Sequence, residues 1–408
     1  MSTLTCFEYS ILRVGQGEFQ LRHFQELARL NERHGNSWFT MLDRGVRFTS
    51  YVGVIQLPGL LLEILPKTDR AAPNEKRWRR ALLEMLRRSG QLPVAAPTVA
   101  ALAERPLALL ELYIRLFIEQ CDILLRHGLS KRYRAKTSNG LALKGQLLFA
   151  QQLKHNLVHQ EHFYTRHQEY DQEHHLHSFL RMALGLAVKV AQGPGLVCRA
   201  QALLLHWPEV PPIAVPASRP VLSRQMERYG PALDLALLLL RHLSPDLAKG
   251  ETQAAALLFD MNRLFEQYVA QQLRSAVAAD SSTTVQVQNR AVFWDDLTVR
   301  PDLIIKLAEP NGVFILDTKW KVPDNERPAA SDLQQLYAYC HLWGAKHAML
   351  LYPNSDGQRE GRRATYGASQ WLPTTHLEGH CCFLNIIKPD GSLNTNCGTD
   401  LLALIEKL

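Results

Sequence analysis

The sequence from residue 299 to residue 320 reads VRPDLIIKLAEPNGVFILDTKW, and it decides how the C-terminal third folds. Two apolar, β-branched runs, Val299–Leu307 and Val313–Trp320, have the composition of strands. Between them, Glu309-Pro310-Asn311-Gly312 is typical of a turn. We therefore predict a hairpin in which positions near Asp302 lie opposite positions 317 to 319.

This hairpin would bring together Asp302, Asp317 and Lys319, which are distant in sequence. Side chains alternate between the faces of a strand, so Asp317 and Lys319 share a face with Val313 and Ile315. The apolar run before them predicts a strand buried on both faces, where unpaired charge is costly. The alternatives are a structural ion pair and a metal site with an attendant lysine. Only the metal site also accounts for Asp302.

A helix is expected upstream of the hairpin, over Ala254–Arg274, where apolar residues recur at helical spacing. Glu266 lies at the margin of that apolar stripe. If the helix packs on the sheet, it aims Glu266 at the aspartates. The alternative is an ordinary solvated glutamate.

A second helix is expected downstream, over Ser331–Leu342, which begins with a capping-box pattern formed by Ser331 and Gln334. It presents Gln335 and Tyr339 one turn apart on one face. An apolar strand over residues 348–352 follows. The C-terminal third therefore predicts a mixed sheet with helices packed on it.

The rest of the chain indicates a multidomain protein of the α+β or α/β class. Phe48–Ile55 and Leu60–Leu65 are apolar runs joined by Gln56-Leu57-Pro58-Gly59, which predicts a hairpin in a β-plus-helical N-terminal domain. Residues 146–192 are interpreted as mostly helical, and residues 205–220 as a proline-rich connector. The other expected elements are helices over Arg77–Arg88, Leu107–Leu125 and Pro231–Leu243, a strand over His380–Ile387, and a closing helix capped by Thr399.

Charge and cysteine content limit the class of protein. The chain has 408 residues and a formal net charge of +7, which is compatible with a polyanionic partner. Its seven cysteines include no CxxC pair, so neither a disulfide framework nor a zinc site is expected. No stretch approaches the roughly 18 apolar residues that span a bilayer. The protein is predicted to be cytoplasmic, without a membrane partner.

Basic residues form two clusters along the sequence. Each is either a solvated surface or a contact for phosphates or an acidic partner. The first cluster consists of Lys76, Arg77, Arg79, Arg80, Arg87 and Arg88, and the second of Arg126, Lys131, Arg132, Arg134 and Lys136.

The histidine-rich segment at residues 173–177 suggests a metal site at first sight. A helix would put His174 and His177 on one face. No matching carboxylate or cysteine pair completes a ligand set, so we expect a polar helix surface.

Several motifs resemble those of a known nuclease family. Arg300-Pro301-Asp302 followed by Leu316-Asp317-Thr318-Lys319 resembles the PD-(D/E)xK signature of restriction-type nucleases. The spacing of Gln335 and Tyr339 resembles an extra motif of the RecB-like branch. More specifically, the ordered set resembles McrC, the nuclease subunit of GTP-dependent McrBC restriction systems for modified DNA. The segments that carry this likeness are residues 259–266, 332–339 and 351–353, with residues 51–55, 63–67, 128–133 and 143–146 in the N-terminal half.

The resemblance implies a DNA endonuclease that uses Mg²⁺, or Mn²⁺ in its place. The implied metal ligands are Asp302, Asp317, Thr318 through its carbonyl, and Glu266 through water. Lys319 would position the nucleophilic water and stabilise negative charge. Gln335 and Tyr339 would hold the wall of the site or touch the DNA backbone.

The resemblance also implies a partner. The chain contains no GxxxxGK[ST] motif, so we expect it to bind no nucleotide itself. GTP would be hydrolysed by a separate McrB-like AAA+ hexamer, which would also recognise the modified base in double-stranded DNA. Residues 1–150 would dock on this partner and stimulate it, residues 151–250 would form a helical connecting region, and residues 251–408 the endonuclease domain. The alternatives are a stand-alone RecB-like nuclease and a catalytically inactive scaffold that activates a GTPase.

Overall fold

The computed structural model divides the chain into two compact units. One contains Met1–Ala108 and Leu258–Leu408, and the other contains Leu109–Leu257. This division departs from the expected boundaries near residues 150 and 250, because the N-terminal segment packs with the C-terminal third. The described residues are 2–68, 74–93, 108–216, 218–243, 254–277, 283–307, 312–321, 323, 327–355, 361–366, 377–388 and 390–407.

The N-terminal part of the first unit contains two small sheets. The predicted hairpin is confirmed: β5 (Tyr51–Leu57) pairs antiparallel with β6 (Leu60–Leu65), and Gly59 in the turn has a φ of 80° that glycine tolerates. β1 (Ser2–Phe7) pairs parallel with β6, and β10 (Ala255–Asp260) completes the order β1-β6-β5-β10. The second sheet has the order β2-β4-β3, with β2 (Ile11–Arg13), β3 (Phe39–Leu42) and β4 (Gly45–Phe48). The described helices of this part are α1 (Leu21–Arg33) and α2 (Glu75–Arg88).

The expected helix over Ala254–Arg274 is instead a strand followed by a helix. β10 ends at Asp260, and α8 (Met261–Val277) begins at the next residue. The residues from Ala254 to Phe259 are all buried. An apolar run of this length suits a buried strand as well as a helix, so periodicity alone did not separate the two.

The described part of the second unit combines five α-helices and one short 3-10 helix with a small sheet. Residues 146–192 were expected to be mostly helical, and this expectation is wrong for the two strands that the segment contains. The strands, in the order β7-β9-β8, are β7 (Arg132–Gly140), β8 (Gln146–Leu147) and β9 (Phe163–Asp171). The helices are α3 (Ala108–Arg126), α4 (Phe149–Asn156), α5 (His175–Val190), α6 (Pro194–His206) and α7 (Gly230–His242). None of the described helices is long and apolar enough to cross a membrane.

Polar pairs explain why this sheet escaped prediction. Arg134 lies 3.0 Å from Asp171, and Lys136 lies 2.6 Å from Glu169, in each case across β7 and β9. Cross-strand ion pairs of this kind stabilise a sheet without apolar burial. The period-two apolar signal on which strand prediction depends is consequently missing from β7 and β9.

The histidines at the start of α5 have structural roles. His174 caps the helix by accepting a hydrogen bond from the backbone N–H of Leu176 at 3.1 Å. His177 is buried, with Nε2 2.9 Å from the Tyr229 hydroxyl and Nδ1 2.6 Å from the Gln172 carbonyl. The expectation of a polar helix surface is therefore wrong for His177.

Each basic cluster contains ion-paired members. In the first, Arg79 is buried, and its Nε donates to Glu63 Oε1 at 2.6 Å. In the second, Arg126 Nη2 lies 2.6 Å from Asp122. Arg79 is therefore part of neither a solvated surface nor a surface that contacts phosphates or an acidic partner.

The C-terminal third forms a six-stranded mixed sheet, which confirms the expected α/β arrangement. β15 (Val313–Thr318) pairs antiparallel with β14 (Leu303–Lys306) and parallel with β16 (His347–Asn354). β18 (Glu378–Asn385) continues the sheet parallel to β16. The order is β11-β14-β15-β16-β18-β17, with β11 (Thr284–Val287) and β17 (Arg362–Thr365), and β12 (Ala291–Trp294) pairs with β13 (Leu297–Val299) as a separate hairpin.

Helices cover this sheet. Leu336 and Tyr339 of α9 (Ala330–Trp343) belong to one core cluster with Ile304 and Ile315 of the sheet. Phe265 of α8 packs against Trp320 with ring centroids 5.3 Å apart. The short α10 (Cys397–Ile405) contacts both α8 and β18.

Two predicted helix caps are wrong. Ala329, and not Ser331, is the N-cap of α9, and Asn396, and not Thr399, is the N-cap of α10. The observed N-cap lies two residues before the predicted one in α9 and three residues before it in α10. A capping pattern in sequence marks the region of a helix start more reliably than its first residue.

Candidate active site

A strand break sets the geometry of the candidate site. The single strand expected over Val299–Leu307 is divided, because β13 ends at Val299 and β14 begins at Leu303. Pro301 lies in the break, where its missing N–H costs no ladder hydrogen bond. Of the predicted turn, residues 309 to 311 lie outside the described part of the chain. Gly312 accepts a hydrogen bond from Leu307 N at 2.9 Å, which closes the hairpin.

Asp302 lies directly before β14, and hydrogen bonds connect it to the end of β15. Leu303 is in register with Leu316, so Asp302 lies beside Asp317 and Thr318. Its Oδ2 accepts hydrogen bonds from both the backbone N–H and the hydroxyl of Thr318, each at 2.7 Å. Two short hydrogen bonds to one oxygen hold this carboxylate in a fixed orientation and leave Oδ1 for another partner.

Asp317 is the buried carboxylate of the site, with only 3% of its surface exposed. Burial and, after it, the charge of Asp302 raise its pKa to about 6 against the opposing effect of Lys319. A buried carboxylate beside a second one lacks sufficient positive charge when both are ionised. The site therefore favours a cation.

Lys319 joins Asp317 to helix α9. Its Nζ lies 2.7 Å from Asp317 Oδ2 and donates to Gln335 Oε1 at 3.2 Å. Burial opposes the ammonium, but Asp317 and then Asp332 outweigh burial and raise the pKa of Lys319 above its ordinary value. Lys319 is therefore a fixed, protonated cation at neutral pH.

Gln335 and Tyr339 form the wall that holds Lys319. Gln335 Nε2 donates to the Tyr339 hydroxyl at 2.6 Å, and this hydroxyl donates to the Arg300 carbonyl at 3.0 Å. The chain of hydrogen bonds runs from Lys319 through α9 to the residue before Pro301. It fixes the break between β13 and β14 against the end of β15.

Asp332 is a neighbour of the site that sequence reasoning missed. It is buried on α9, lies 3.8 Å from Lys319 Nζ and accepts a hydrogen bond from Lys321 at 2.6 Å. The signal was present, because residues 332, 335 and 339 are three and four apart and share one helix face.

Glu266 reaches the same region from α8. Its Oε1 accepts a hydrogen bond from Gln288 at 2.7 Å, and burial followed by the charge of Asp302 raises its pKa. A cleft of about 420 Å³ opens here, and its walls include Glu266, Asp302 and Thr318 with Arg263 and Arg300.

The donor chemistry of the site fits a hard divalent cation. Asp302, Asp317 and Glu266 offer carboxylate oxygens, which Mg²⁺ prefers over nitrogen or sulfur. The three carboxylates do not all lie within 4.8 Å of one another, so they form no closed cage. Mg²⁺ keeps several water ligands and needs only one or two carboxylates. A site without a closed cage can therefore bind some carboxylates directly and others through water.

The sequence matches a known protein family over most of its length. Residues 46–353 match the family model described as McrBC 5-methylcytosine restriction system component. The chain belongs to this family. The match includes the hairpin of Asp302 and Asp317 and ends at Pro353, so it stops before the last two strands of the sheet. No curated protein matches the sequence.

Solved structures share the fold of this family member. A half-complex from a tetradecameric assembly of Thermococcus gammatolerans McrB AAA+ hexamers with bound McrC matches with a TM-score of 0.65 and 18% identity, over 98% of this chain and 100% of that chain. The cryo-EM structure of the Thermococcus gammatolerans McrBC complex matches with a TM-score of 0.50 and 19% identity, over 67% of this chain and 88% of that chain. Both likenesses concern the fold; the roles of the site residues stay predictions.

Proposed function

We propose that this chain is the endonuclease subunit of a GTP-dependent, McrBC-type restriction complex that cleaves modified double-stranded DNA. The observation that carries the proposal is the meeting of Asp302, Asp317 and Lys319 at the end of a strand buried on both faces. Membership of the McrBC family supports the assignment of the chain to a restriction system.

Asp302 and Asp317 would hold Mg²⁺, with the Thr318 carbonyl as a further oxygen ligand and Glu266 acting through water. When bound, the cation neutralises phosphate charge and lowers the pKa of its water. Mn²⁺ has similar ligand preferences and is expected to replace Mg²⁺.

Lys319 would orient the attacking water and stabilise the charge that develops on the phosphate. Its contacts with Asp317 and Gln335 fix the ammonium before substrate arrives, so no reorganisation is needed during the reaction. Arg263 and Arg300 line the adjacent cleft, where guanidinium groups suit contacts with phosphate oxygens.

The partner is proposed to be an McrB-like AAA+ GTPase hexamer, by analogy with the assembly in which McrC is bound. Within the segment expected to dock, Leu141, Leu143 and Phe149 are 72%, 59% and 72% exposed. Contiguous exposed apolar patches are typical of protein-interaction surfaces, and these three side chains belong to one short exposed segment. This supports a docking surface near residues 141–149, and hence stimulation of the GTPase from there.

The proposal is tested with purified protein, Mg²⁺ and a methylated linear plasmid, with and without an McrB-like GTPase and GTP. We expect cleavage only when partner and GTP are both present, and no cleavage by Asp317→Asn. Asp43→Asn is the matched control, because Asp43 is an exposed aspartate outside the site.

Other outcomes select the alternatives. Degradation of DNA ends by the chain alone would identify a stand-alone RecB-like nuclease. Stimulation of the GTPase with no cleavage by the unmodified chain would identify a catalytically inactive scaffold. Full cleavage by Asp317→Asn would exclude the proposed site.

A further inference from the structure

A second cluster of possible metal ligands lies on the same sheet as the candidate active site. It consists of His347 on β16 with Glu378 and His380 on β18. One ligand atom from each residue lies within 4.8 Å of the other two. Among the residues that the structure describes, this is the one group of three such side chains that meets this criterion.

The strand register explains why the three side chains converge. His347 is paired with Glu378, and His380 lies two residues further along β18 and therefore on the same face. Phe314 of β15 is in register with His347, and its ring stacks on both imidazoles, at 5.8 Å from His347 and 5.9 Å from His380. The aromatic ring holds both imidazoles in place.

The cluster is separate from the candidate active site. Asp317 lies three residues beyond Phe314 on β15, which is about 10 Å along a strand. Because three is an odd number, the two side chains also leave the strand on opposite faces. The carboxylate site thus lies at one end of the parallel strands, and the histidine cluster lies at their other end.

The atom distances suit a small tetrahedral ion. His347 Nδ1 lies 3.3 Å from Glu378 Oε2, and His380 Nε2 lies 3.8 Å from the same oxygen. Ligands about 2.0–2.1 Å from a tetrahedral Zn²⁺ are separated by roughly 3.4 Å. The Glu378 distances are therefore close to those of a formed site.

The imidazole nitrogens provide an independent indication. The His380 side chain is 2% exposed and its Nε2 makes no hydrogen bond; the buried Nδ1 of His347 makes none either, although Glu378 Oε2 lies 3.3 Å away. A buried nitrogen without a partner is costly, and a bound metal ion would satisfy it.

We propose that His347, Glu378 and His380 bind one transition-metal ion of the Zn²⁺ class, which joins β16 to β18. Two imidazoles and one carboxylate suit Zn²⁺ better than Mg²⁺. His347 and Glu378 are 25% and 18% exposed, which leaves an open side for water as the fourth ligand. The ion would join two neighbouring strands, about 10 Å along the sheet from the carboxylate site.

Arg363 belongs to the surroundings of the cluster. It lies on β17, opposite His380, and its guanidinium donates to Glu378 Oε2. A carboxylate has about four acceptor positions, so Glu378 has capacity for both the guanidinium and a metal ion. Partners of this kind orient metal ligands in many sites.

The test measures Co²⁺ and Zn²⁺ binding to full-length, chelator-treated protein by visible absorption and calorimetry. The unmodified chain should bind about one Co²⁺ with the spectrum of a tetrahedral N/O site, and excess Mg²⁺ should not displace it. Loss of an outer partner weakens metal sites roughly 10–100-fold, so His347→Gln and Glu378→Gln should each weaken binding by at least about 100-fold. Zn²⁺ should raise the melting temperature of the unmodified chain and of neither variant.

Two controls make the result specific. His159→Gln removes an exposed histidine near Glu161 and should leave the Co²⁺ spectrum unchanged. Asp317→Asn removes a proposed Mg²⁺ ligand and should also leave the Co²⁺ spectrum unchanged. The carboxylate site and the histidine cluster are thereby tested independently. Absence of a Co²⁺ spectrum in the unmodified chain would overturn the proposal. Equal binding by the unmodified chain and both cluster variants would overturn it as well.

Discussion

Asp317 links metal binding to protonation. Its pKa is raised to about 6 by burial and by Asp302, so the folded chain without metal binds a proton here that the unfolded chain releases near pH 4. Stability from this group is therefore lost as pH rises through about 6. Metal binding needs the ionised form, so it must displace this proton.

The first prediction is that Mg²⁺ affinity falls about tenfold for each pH unit below about 6 and levels off above it. Titration calorimetry of Mn²⁺ and Mg²⁺ between pH 5 and pH 8, without DNA, measures this. Asp317→Asn should bind more weakly and lose the pH dependence. A flat profile for the unmodified chain would contradict the role of Asp317 as a ligand.

The second prediction separates Lys319 from a neighbouring lysine. Lys319→Gln should reduce cleavage by about 10²–10³-fold, the usual cost of removing one charge-stabilising donor, and should leave Mg²⁺ binding intact. Lys321→Gln is the matched control, because Lys321 pairs with Asp332 from the exposed side. Lys319→Arg should not rescue activity, since a planar guanidinium does not replace a compact ammonium. Equal losses in both glutamine variants would argue for a purely structural ion-pair network.

At the scale of elements, a buried carboxyl joins three strand ends. Glu8 follows β1, and its Oε1 accepts hydrogen bonds from Lys67 N at 2.7 Å and Trp320 Nε1 at 2.8 Å. These two partners follow β6 and β15, so Glu8 connects the N-terminal sheet to the strand that carries Asp317. Burial raises the pKa of Glu8 to about 8 despite both hydrogen bonds.

The third prediction follows from the sign of this shift. A carboxyl with a raised folded-state pKa stabilises the protein at low pH, and this stability is lost as pH rises toward about 8, at up to about 1.4 kcal/mol per pH unit. Glu8→Gln stays neutral, so it should be less sensitive than the unmodified chain to a change from pH 6 to pH 9. Urea unfolding at both pH values measures this. Parallel losses in the two proteins would contradict the raised pKa of Glu8.

Elements were predictable where local sequence carries the signal. The hairpin around residues 299–320 and the helix with Gln335 follow from alternation, turn residues and helical spacing. The strand Ala255–Asp260 was not predictable, because an apolar run fits two structures. β7 and β9 were missed because charged pairs replace apolar alternation there.

For the whole molecule, the limit of prediction was contact between distant segments. The carboxylates of one hairpin could be brought together from sequence alone, because a single turn fixes their register. Nothing local relates Glu8 to Trp320, or His347 to His380, since those contacts depend on which strands become neighbours in a sheet. The grouping of the N-terminal segment with the C-terminal third was missed for the same reason.

The division into two units leads to the last prediction, because the two proposed activities fall in different units. The carboxylate site belongs to the unit with residues 258–408, and the exposed apolar residues near Phe149 belong to Leu109–Leu257. Leu143→Asp should therefore abolish stimulation of the McrB-like GTPase, and with it cleavage, without changing Mg²⁺ binding. Asp317→Asn should do the reverse and keep full GTPase stimulation.

The matched control for this test is Leu205→Asp, because Leu205 is 84% exposed on α6 and lies far from residue 143 in sequence. It should stimulate the GTPase as the unmodified chain does. Circular dichroism, used to monitor the unfolding of each variant, shows whether the variant has kept its fold. If Leu143→Asp stimulated fully, the docking surface would lie elsewhere and the exposed apolar residues would need another partner. If Asp317→Asn also lost stimulation, metal binding and GTPase activation would be coupled, and the two activities could not be assigned to separate units.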